Sequence, residues 1–441
     1  MNTINIFWFR RDLRLKDNAG LYYALKSKTP VLPIFIFDTH ILNKLQDQED
    51  ARVSFLHQTI RNLKRELEGL GSSLLVRYGS PLEIWKNLVQ DYCIREVFTN
   101  RDYEPYAKER DAKVNTLLKE RKIVFHTYKD HVIFESDEVL KKDGTPYTVF
   151  TPYSKRWKAH LDTQLKNGSS YFLSSYPSVR YFSTFYKTAP LSMPSLEAMG
   201  FRASSIPIPP STITQKVIKT YTENRNFPAI KNGTSRLGIH FRFGTISIRE
   251  KARGARKLNE TYLNELIWRD YYSGILDKFP HVVGGAFRTK YEAITWRNDK
   301  REFEAWCQGQ TGYPLVDAGM RELNKTGFMH NRVRMVTASF LSKHLLIDWR
   351  WGEAYFARKL LDFDLASNNG GWQWAAGCGT DAAPYFRIFN PTAQMEKFDK
   401  HKTYVKRWVP EYATANYVQA IVEHAAARQR CLATYKKALG K

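Results

Sequence analysis

Hydrophobic and polar positions follow two different patterns in the two halves of the chain. Over residues 1–130, short apolar runs are separated by stretches in which apolar residues recur with helical spacing. The apolar runs are residues 4–9, 31–37, 73–77, 96–99 and 123–125. Such runs alternating with helices predict a parallel sheet with helices on both faces. The pair Asp17-Asn18 precedes the first helical stretch and predicts its N-cap.

Beyond about residue 213 the strand signals fade and helical spacing takes over. One long helix is predicted from Phe328 to Arg350. The other predicted helices span residues 213–224, 246–257, 259–278, 300–308, 314–325, 351–361 and 415–438.

The stretch between the two patterns has a composition of its own. Residues 167–212 are rich in Ser, Pro and Tyr, which predicts a long linker over a surface. The predicted architecture is an α/β domain with a doubly wound parallel sheet over residues 1–130, followed by a connecting segment and linker over 131–212. An all-helical domain is predicted over 213–441.

Several protein classes are disfavoured by what the sequence lacks. No G-x-G-x-x-G follows the first apolar run, which argues against the dinucleotide site of common dehydrogenases. No apolar run is long enough to span a membrane, and the N-terminus is unlike a secretory signal. The four cysteines are far apart, which argues against structural zinc or a disulfide scaffold. We therefore expect a cytoplasmic protein without a metal site.

Charge and aromatic content add a partner class to this picture. The chain has 68 Lys and Arg against 44 Asp and Glu, a net charge of +24. Such an excess predicts a polyanionic partner such as nucleic acid, although a generally basic protein is the simpler alternative. Eight of the 11 tryptophans lie beyond residue 250. Their clustering indicates either a large helical core or aromatic surfaces that grip bases.

The run from Asp364 to Pro391 carries an unusual combination of residues. Asn368 and the following Asn-Gly-Gly offer amides with little side-chain bulk, and Trp372 and Trp374 follow at once. This combination can hold a flat aromatic ligand beside a stacking surface. The alternative is a Gly-rich turn with tryptophans as core filler.

A second candidate is the loop of small residues at 233–238. Its backbone amides and the hydroxyls of Thr234 and Ser235 precede a helical stretch and can bind phosphate oxygens. A simple turn is the alternative interpretation.

Two helical faces supply further candidates. Glu265, Trp268 and Tyr272 recur at i, i+3 and i+7, which predicts a polar pocket wall or an aromatic core face. In the helix after Phe328, Asn331, Arg334 and Met335 share one face and Arg332 points elsewhere. We expect Arg334 to pair with Asp362 or Asp364, because a charge buried near a ligand needs a partner.

Motifs in conserved order make the chain resemble the photolyase and cryptochrome family, and within it the microbial cyclobutane pyrimidine dimer photolyases most. The similarity covers nearly the whole chain. The motifs are residues 8–14 (WFRRDLR), 234–237 (TSRL), 264–269 (NELIWR), 311–318 (TGYPLVDA) and 329–335 (MHNRVRM), together with 364–391.

The resemblance implies a folded FAD in the helical domain. The implied FAD-binding residues are Tyr221, Thr234, Ser235, Arg236, Leu237, Gly238, Arg334, Asp362, Asp364 and Asn368. Arg334 is expected to pair with Asp362, and Asn368 to face the flavin N5. Plant cryptochromes have an acid at this last position and animal ones usually a cysteine, so Asn368 favours repair over light sensing.

The resemblance also implies a pocket for a flipped-out DNA lesion. The implied lesion- and DNA-binding residues are Arg225, Glu265, Trp268, Asn331, Arg332, Met335, Trp374 and Gln394. Glu265 is expected to stabilise the radical anion of the dimer. Six-four photolyases carry a histidine pair where this chain has His330-Asn331, so Asn331 counts against that activity.

Two more features follow from the resemblance. Trp372, Trp349 and Trp296 match an electron-transfer chain from the flavin to the surface.

Folate-binding relatives carry an Asn-Glu pair where this chain has Tyr106-Ala107. A folate antenna is therefore doubtful, and a deazaflavin, another flavin or no antenna remain open.

The resulting hypothesis is an enzyme, a deoxyribodipyrimidine photolyase that splits cyclobutane pyrimidine dimers by electron transfer from excited, reduced FAD. Its expected partner is dimer-containing DNA, with no membrane and no obligate protein partner, and the expected state is a monomer associated with the nucleoid. The alternatives are a cryptochrome-like photoreceptor, a six-four photolyase and a non-catalytic nucleic-acid-binding protein.

Overall fold

The computed structural model describes residues 3–168 and 174–440, which form two compact units. The first, here called the sheet unit, contains the chain up to Val139, Arg156–Thr212 and Leu237–Lys257. The second, here called the helical unit, contains Leu140–Lys155, Ile213–Arg236 and the chain from Leu258 onward. Both units are discontinuous in sequence. One division coincides with the predicted boundary after Thr212, and the others follow Val139, Lys155, Arg236 and Lys257.

The sheet unit contains a five-stranded parallel sheet, which confirms the predicted α/β class. Along β1, Ile6 and Trp8 pack into one core cluster, whereas Phe7 and Phe9 pack into another. Every residue of β1 is buried, because successive side chains alternate between two covered faces. The strands are β1 (Ile4–Phe9), β2 (Val31–Asp38), β3 (Leu75–Gly79), β4 (Ile94–Asn100) and β5 (Val124–Tyr128), in the order β3-β2-β1-β4-β5.

Helices account for most of the remaining secondary structure. The first ten are α1 (Ala19–Lys26), α2 (Thr39–Leu42), α3 (Ala51–Gly69), α4 (Pro81–Asp91), α5 (Pro105–Glu120), α6 (Phe150–Lys166), α7 (Gln215–Lys219), α8 (Tyr221–Asn224), α9 (Gly238–Phe243) and α10 (Ile248–Leu258). The rest are α11 (Glu260–Lys278), α12 (Lys300–Gln308), α13 (Pro314–Thr326), α14 (Asn331–Ser339), α15 (Trp349–Lys359), α16 (Leu365–Ala376), α17 (Pro391–Phe398), α18 (Thr403–Trp408) and α19 (His424–Ala438). Among the described residues, no helix is both long enough and apolar enough to cross a bilayer.

The segment predicted as a surface linker contributes to the core of the sheet unit. Phe185, Leu196, Met199 and Phe201 are buried in the same cluster as Phe7. Their side chains explain why so proline-rich a segment is held in place. Residues 169–173 of the predicted linker lie outside the described residues.

The predicted long helix from Phe328 to Arg350 is wrong in its extent. Helix α14 begins only at Asn331, after His330 accepts a hydrogen bond from the Arg332 N–H. It runs into a π-helical turn at 340–344, after which the backbone leaves the helix.

The break lies at Leu346, whose φ of 50° is left-handed. Leu345, Leu346 and Ile347 are all buried, so the apolar pattern continues through the break and cannot reveal it. Helix α15 then begins at Trp349, capped by the Asp348 carboxylate. The last predicted helix, 415–438, is also too long, because α19 begins only at His424.

The core of the helical unit is built around α13, α14, α15 and α16. Trp306 is fully buried at its centre, and Trp349 and Trp372 are each 2% exposed in the same cluster. Trp296 packs against this cluster from a partly buried position. The tryptophan-rich half of the sequence therefore forms one continuous aromatic core.

Candidate functional site

A cavity of about 430 Å³ lies within the helical unit, between α11, α14, α15 and α16. Most of the residues that the sequence singles out for ligand or lesion binding line it. These are Arg225, Glu265, Trp268, Asn331, Arg334, Met335, Asp362, Asp364, Asn368, Trp372 and Trp374. The cavity brings together residues that are far apart in the chain.

Helix α16 forms one wall of the cavity because of its spacing and its cap. Asp364 precedes the helix and accepts a hydrogen bond from the Ser367 N–H at 3.1 Å. Asn368 and Trp372 follow at intervals of four residues, so they lie on one face of the helix. The polar N-terminal turn and the indole of Trp372 therefore point into the same space.

Asn368 is held in a single orientation by Glu353 of α15. Its Nδ2 donates to Glu353 Oε1 at 2.7 Å and to the Glu353 backbone oxygen at 3.2 Å. A backbone oxygen can only accept, so the amide nitrogen must face Glu353. The carboxamide oxygen is left to accept a hydrogen bond from the cavity side.

Glu353 is a contributor that the sequence reasoning missed. Burial raises the pKa of its carboxyl, and the hydrogen bond from Asn368 opposes this rise. Glu353 lies four residues after Trp349, on the same helical face. That spacing was the available signal, once Trp349 had been recognised as functional.

Arg334 and Asp362 form the ion pair that the sequence predicts. Arg334 Nη2 lies 2.9 Å and 3.1 Å from the two Asp362 oxygens. Its Nε also donates to the backbone oxygen of Met329 at 2.7 Å. These bonds hold both charges at the cavity wall, where the remaining donor and acceptor positions can meet a polar ligand.

The opposite wall of the cavity is aromatic and acidic. Trp268 stacks on Phe150, with ring centroids 3.6 Å apart and planes 4° from parallel. Glu265 forms an ion pair with Arg225. Burial raises the pKa of Glu265 despite the charge of Arg225, so its carboxyl takes up a proton more readily than an exposed glutamate.

Some contributors to the cavity wall were not predicted from the sequence. Phe150 supports Trp268 from a segment more than 100 residues earlier, and no sequence signal marks it. Ser367 lies at helical spacing from predicted residues, which is a usable signal. The other unpredicted lining residues are Arg269, Ala338, Phe356, Leu360 and Phe363. Tyr272 and Gly371, which the sequence singled out, also line the cavity.

The residues predicted to bind the phosphates lie outside the lining of this cavity. Thr234, Ser235 and Arg236 belong to the helical unit and come just before α9 in the chain. Arg236 has a left-handed φ of 52°. The Arg236 guanidinium lies 4.2 Å from the Phe328 ring centroid and 3.8 Å from Glu322 Oε1. Of the remaining predicted phosphate residues, Tyr221 is buried against Tyr262 in the helical unit, whereas Leu237 and Gly238 belong to the sheet unit.

Two residues predicted to hold DNA also lie outside the cavity lining. The Arg332 guanidinium lies 4.4 Å from the Phe398 ring centroid, and its Nη2 donates to Asn226 Oδ1 at 2.7 Å. Its Nη1 also donates to the Met335 Sδ at 3.7 Å, so Arg332 reaches the face that Asn331 and Met335 share, and the prediction that it points elsewhere is wrong. Gln394 belongs to α17, and its Oε1 is buried without a hydrogen-bond partner.

The cavity fits a flat heteroaromatic ring on three counts. A side chain added at Gly371 would meet no atom within 4 Å, so the space beside α16 is open. The buried Nε1 of Trp372 has no hydrogen-bond partner, and the Asn368 oxygen faces inward. By contrast, no group of three or more His, Cys, Asp or Glu within residues 3–168 and 174–440 is arranged to hold a metal ion.

A second polar and aromatic cluster lies in the sheet unit around Tyr106. The Tyr106 hydroxyl donates at 2.6 Å to Oδ2 of Asp38, the last residue of β2. The Arg110 guanidinium lies 5.7 Å from the Tyr106 ring centroid and 5.0 Å from that of Trp8. In open parallel sheets, ligands bind near the carboxyl ends of the strands, where this cluster lies.

Comparison with known proteins identifies the family. The chain matches the family model for DNA photolyase over residues 5–169 and that for the FAD binding domain of DNA photolyase over residues 262–416. A deoxyribodipyrimidine photo-lyase of Synechococcus sp. is 38% identical, with 92% of this chain and 87% of the relative covered.

Solved structures agree with this match over the whole length of the chain. A bacterial class III photolyase from Agrobacterium tumefaciens superposes with a TM-score of 0.85 at 32% identity, covering 100% of this chain and 98% of its own. An archaeal photolyase from Sulfolobus tokodaii, solved with two FAD molecules, superposes with a TM-score of 0.79 at 32% identity, covering 99% and 100%. The chain belongs to the DNA photolyase family.

Proposed function

We propose that this protein repairs DNA in light by splitting cyclobutane pyrimidine dimers. The observation that carries the proposal is the single cavity whose walls hold two different sets of groups. Asn368, Asp362 and Arg334 suit a flavin edge, whereas Glu265 and Trp268 suit a pyrimidine pair. An electron donor and the lesion would therefore lie within one cavity, where transfer between them would be direct.

FAD fits the first set of groups. Arg334, Asp362 and Asp364 would hold its polar edge and ribose, and Asn368 would accept from N5–H. The phosphates would be met by Tyr221, Thr234, Ser235, Arg236, Leu237 and Gly238. When bound in its reduced form and excited by light, FAD would supply the electron for repair.

The oriented carboxamide of Asn368 supports a role with reduced flavin. Because Glu353 occupies its amino group, Asn368 would present its oxygen as an acceptor to the N5–H of a reduced flavin bound in the cavity. An amide also stays neutral throughout. The residue thus favours the electron-donating form, which supports repair over light sensing.

The lesion fits the second set of groups. A dimer stacks and pairs poorly, so rotating it out of the duplex costs less than rotating normal bases. Trp268 and Trp374 would form the walls of the pocket, and Met335 would contact the dimer. Glu265 and Asn331 would hydrogen-bond the pyrimidine edges.

Glu265 suits the charge that develops during the reaction. Burial raises its pKa, so the carboxyl takes up a proton more readily than an exposed glutamate as negative charge develops on a pyrimidine carbonyl oxygen, and Arg225 beside it adds a positive charge. The dimer radical anion then loses the two carbon–carbon bonds of its four-membered ring. The electron returns from the separated pyrimidines, so the reaction involves no net oxidation or reduction.

DNA binding would rely on the positive charge of the chain. The net charge of +24 favours association with phosphates through release of counterions. Arg225, Arg332 and Gln394 would hold the flanking strand.

Trp372, Trp349 and Trp296 would carry electrons inward to regenerate reduced flavin under light.

For the antenna we propose a flavin or deazaflavin in place of a folate. The cluster of Tyr106, Asp38 and Arg110 offers an aromatic face, an acceptor and a cation to a flat ring. An absorption spectrum of the purified protein tests this proposal. The expected result is either an added deazaflavin band or flavin absorption equivalent to two flavins per protein, and a folate band would contradict the proposal.

The test of the main proposal is repair of a single thymine dimer in an oligonucleotide. Dithionite-reduced protein under blue light should restore the thymines, whereas the same mixture kept dark should not. A parallel oligonucleotide with a six-four photoproduct should stay unrepaired. FAD binding and photoreduction without loss of dimers would instead support a photoreceptor.

A further inference from the structure

Phe150 covers one face of the Trp268 indole in the helical unit. The two ring centroids lie 3.6 Å apart, and the planes are 4° from parallel. Trp268 lines the cavity, whereas Phe150 does not. A ligand in the cavity can therefore approach the indole only from the side that Phe150 leaves open.

The stack with Phe150 fixes the plane of the Trp268 indole. Tyr271 meets both rings edge-on, at 5.8 Å from Phe150 and 5.5 Å from Trp268. Parallel and edge-on contacts each have a preferred geometry, so the three rings hold one another in place. Any rotation of the indole breaks its parallel contact with Phe150. The orientation that a stacked ligand meets is therefore set by rings outside the cavity.

Asp381 holds Phe150 from the loop that follows α16. Its Oδ2 accepts a hydrogen bond from the Phe150 N–H at 3.3 Å. Phe150 begins α6, so this N–H has no acceptor within the helix. The Asp381 backbone has a left-handed φ of 47°, a conformation that aspartate adopts more readily than most residues. Both its side chain and its backbone conformation suit Asp381 to this bond.

The loop after α16 also supports the second aromatic wall of the lesion pocket. This bridging loop, residues 377–390, joins α16 to α17. Phe389 stacks near Trp374, with centroids 6.4 Å apart and planes 28° from parallel. The buried ammonium of Lys343 donates to the Arg387 backbone oxygen at 2.9 Å and fixes this part of the loop. One loop therefore contacts the supports of both aromatic walls.

We propose that Phe150 and Asp381 are positioning residues that set the width of the lesion pocket. Phe150 fixes the plane of Trp268, and Asp381 links Phe150 to the bridging loop that supports Trp374. A cyclobutane dimer is thicker than one flat base, because its two rings are joined through a four-membered ring and cannot share a plane. Walls held at a fixed spacing therefore favour the dimer over undamaged pyrimidines. The inference rests on the proposed function and concerns its selectivity.

The test compares two replacements of Phe150 in FAD-loaded protein. Phe150→Leu keeps apolar bulk but loses the flat face, whereas Phe150→Tyr keeps an aromatic ring. Affinity is measured in the dark at fixed salt for a thymine-dimer oligonucleotide and for the same oligonucleotide undamaged. Phe150→Leu should weaken dimer binding about threefold to tenfold, as expected for the loss of one aromatic pair, and leave undamaged binding unchanged. Phe150→Tyr should retain the wild-type ratio of the two affinities.

Phe303→Leu is the matched control for the loss of a ring. Phe303 is also half-buried beside a tryptophan, with its centroid 5.9 Å from that of Trp306 and the planes 18° from parallel. Neither residue lines the cavity. Phe303→Leu should leave both affinities unchanged. A wild-type affinity ratio in Phe150→Leu, or an equal fall in Phe303→Leu, would overturn the inference.

A double-mutant cycle tests whether Phe150 acts through Trp268. In a Trp268→Ala background, Phe150→Leu should cause no further loss of dimer affinity, because the ring that it positions is already gone. Equal losses in both backgrounds would contradict the positioning role. Thermal unfolding and flavin content of each variant separate a positioning effect from misfolding.

Asp381 is tested by substitutions that suit its left-handed backbone. Asp381→Asn keeps an oxygen that can accept from the Phe150 N–H, whereas Asp381→Gly removes it, and both new residues adopt this conformation readily. Asp381→Gly should lower the ratio of dimer to undamaged affinity, and Asp381→Asn should keep it. Ala413→Gly is the control for added chain freedom, because Ala413 lies in the helical unit with a left-handed φ of 65°. The same ratio in Asp381→Gly and Asp381→Asn would remove Asp381 from the proposal.

Repair itself gives a second readout and keeps the two proposals apart. With all protein bound to dimer, the fraction of dimers repaired per absorbed photon should fall in Phe150→Leu, because a loosely held lesion spends less time close to the electron donor. Wild-type repair together with an unchanged affinity ratio in Phe150→Leu contradicts only the positioning role. Wild-type protein that neither repairs nor prefers the dimer contradicts the proposed function.

Discussion

The sheet unit and the helical unit bury charged groups in different ways. In the sheet unit, Arg249 is bonded to Asp17 at 2.9 Å and to Asp130 at 2.8 Å, and Arg14 takes the second Asp130 oxygen at 2.6 Å. In the helical unit, the Arg334–Asp362 pair lines an open cavity. Saturated charges serve folding, whereas charges that keep free bonding positions beside a cavity are available to a ligand.

The largest effect should come from breaking the saturated network. Arg249→Ala removes the ion-pair partner of buried Asp17 and one of the two arginines that hold buried Asp130, which should cost about 3–5 kcal/mol. The measurement is the shift in the urea unfolding midpoint. Arg256→Ala is the control, because it removes only an exposed pair with Asp162 and should cost about 0–1 kcal/mol. Equal shifts for the two variants would remove the distinction between the units.

Filling the cavity should affect ligand binding and leave folding intact. Gly371→Leu places a side chain into open space beside Trp372, where leucine also favours the helix. We expect a loss of about 3 kcal/mol in flavin affinity, roughly a hundredfold, from steric overpacking. Equilibrium titration of flavin-free protein with FAD measures it.

Gly69→Leu is the matched control for this substitution. Gly69 is another exposed helical glycine with no atom within 4 Å of an added side chain, at the end of α3 in the sheet unit. Its replacement should leave FAD affinity unchanged. Unaltered FAD binding in Gly371→Leu would place the flavin elsewhere.

Removing one aromatic wall should weaken lesion binding while FAD stays bound. Trp268→Ala removes the ring that stacks on Phe150, and loss of base stacking should cost about 1–3 kcal/mol. The measurement is affinity for a thymine-dimer oligonucleotide in the dark at fixed salt. Trp408→Ala serves as control, and equal losses in both variants would contradict the pocket assignment.

The most gradual effect concerns acid stability, where the two units should respond differently. Burial and the nearby Arg334 lower the pKa of His330 in the helical unit to about 3. Unfolding lets this histidine take up a proton below about pH 6.5, so stability falls as pH decreases from there to about 3. For one histidine, the free energy of unfolding should fall by about 1.4 kcal/mol for each pH unit in this range.

In the sheet unit the relevant groups are carboxylates. Burial alone would raise the pKa of Asp130, but Arg14 and Arg249 overcome this and hold it below its usual range. Asp130 therefore contributes to the free energy of unfolding at pH values above the ordinary aspartate pKa, and this contribution is lost only at lower pH. As the pH falls, the sheet unit should lose the stability from Asp130 later than the helical unit loses the stability from His330.

His330→Asn tests the histidine contribution. Asparagine can still cap α14 but does not titrate, so acid unfolding should move to lower pH. Tryptophan fluorescence measures the transition, because most tryptophans lie in the helical unit. An unchanged acid midpoint would mean that other groups set the acid limit.

Local sequence signals predicted much of the fold and part of the site. Apolar runs fit the five strands, and Asn18 caps the first helix as predicted. The run after Asp364 was recognisable because glycines and amides there are unlike a core helix. The break at Leu346 was not recognisable, because its flanking residues stay apolar and buried in either conformation.

The sequence by itself determined the order of elements, the excess of positive charge and the residue types that could meet a flavin and a pyrimidine pair. Only the tertiary structure decided which of them share a cavity, because Arg225, Glu265 and Asn368 are brought together by packing between distant segments. It also decided which way the Asn368 amide points, through Glu353 on another helix. The same holds for the contact of Trp372 with Trp306, since side-chain packing and not spacing along the chain determines which rings touch.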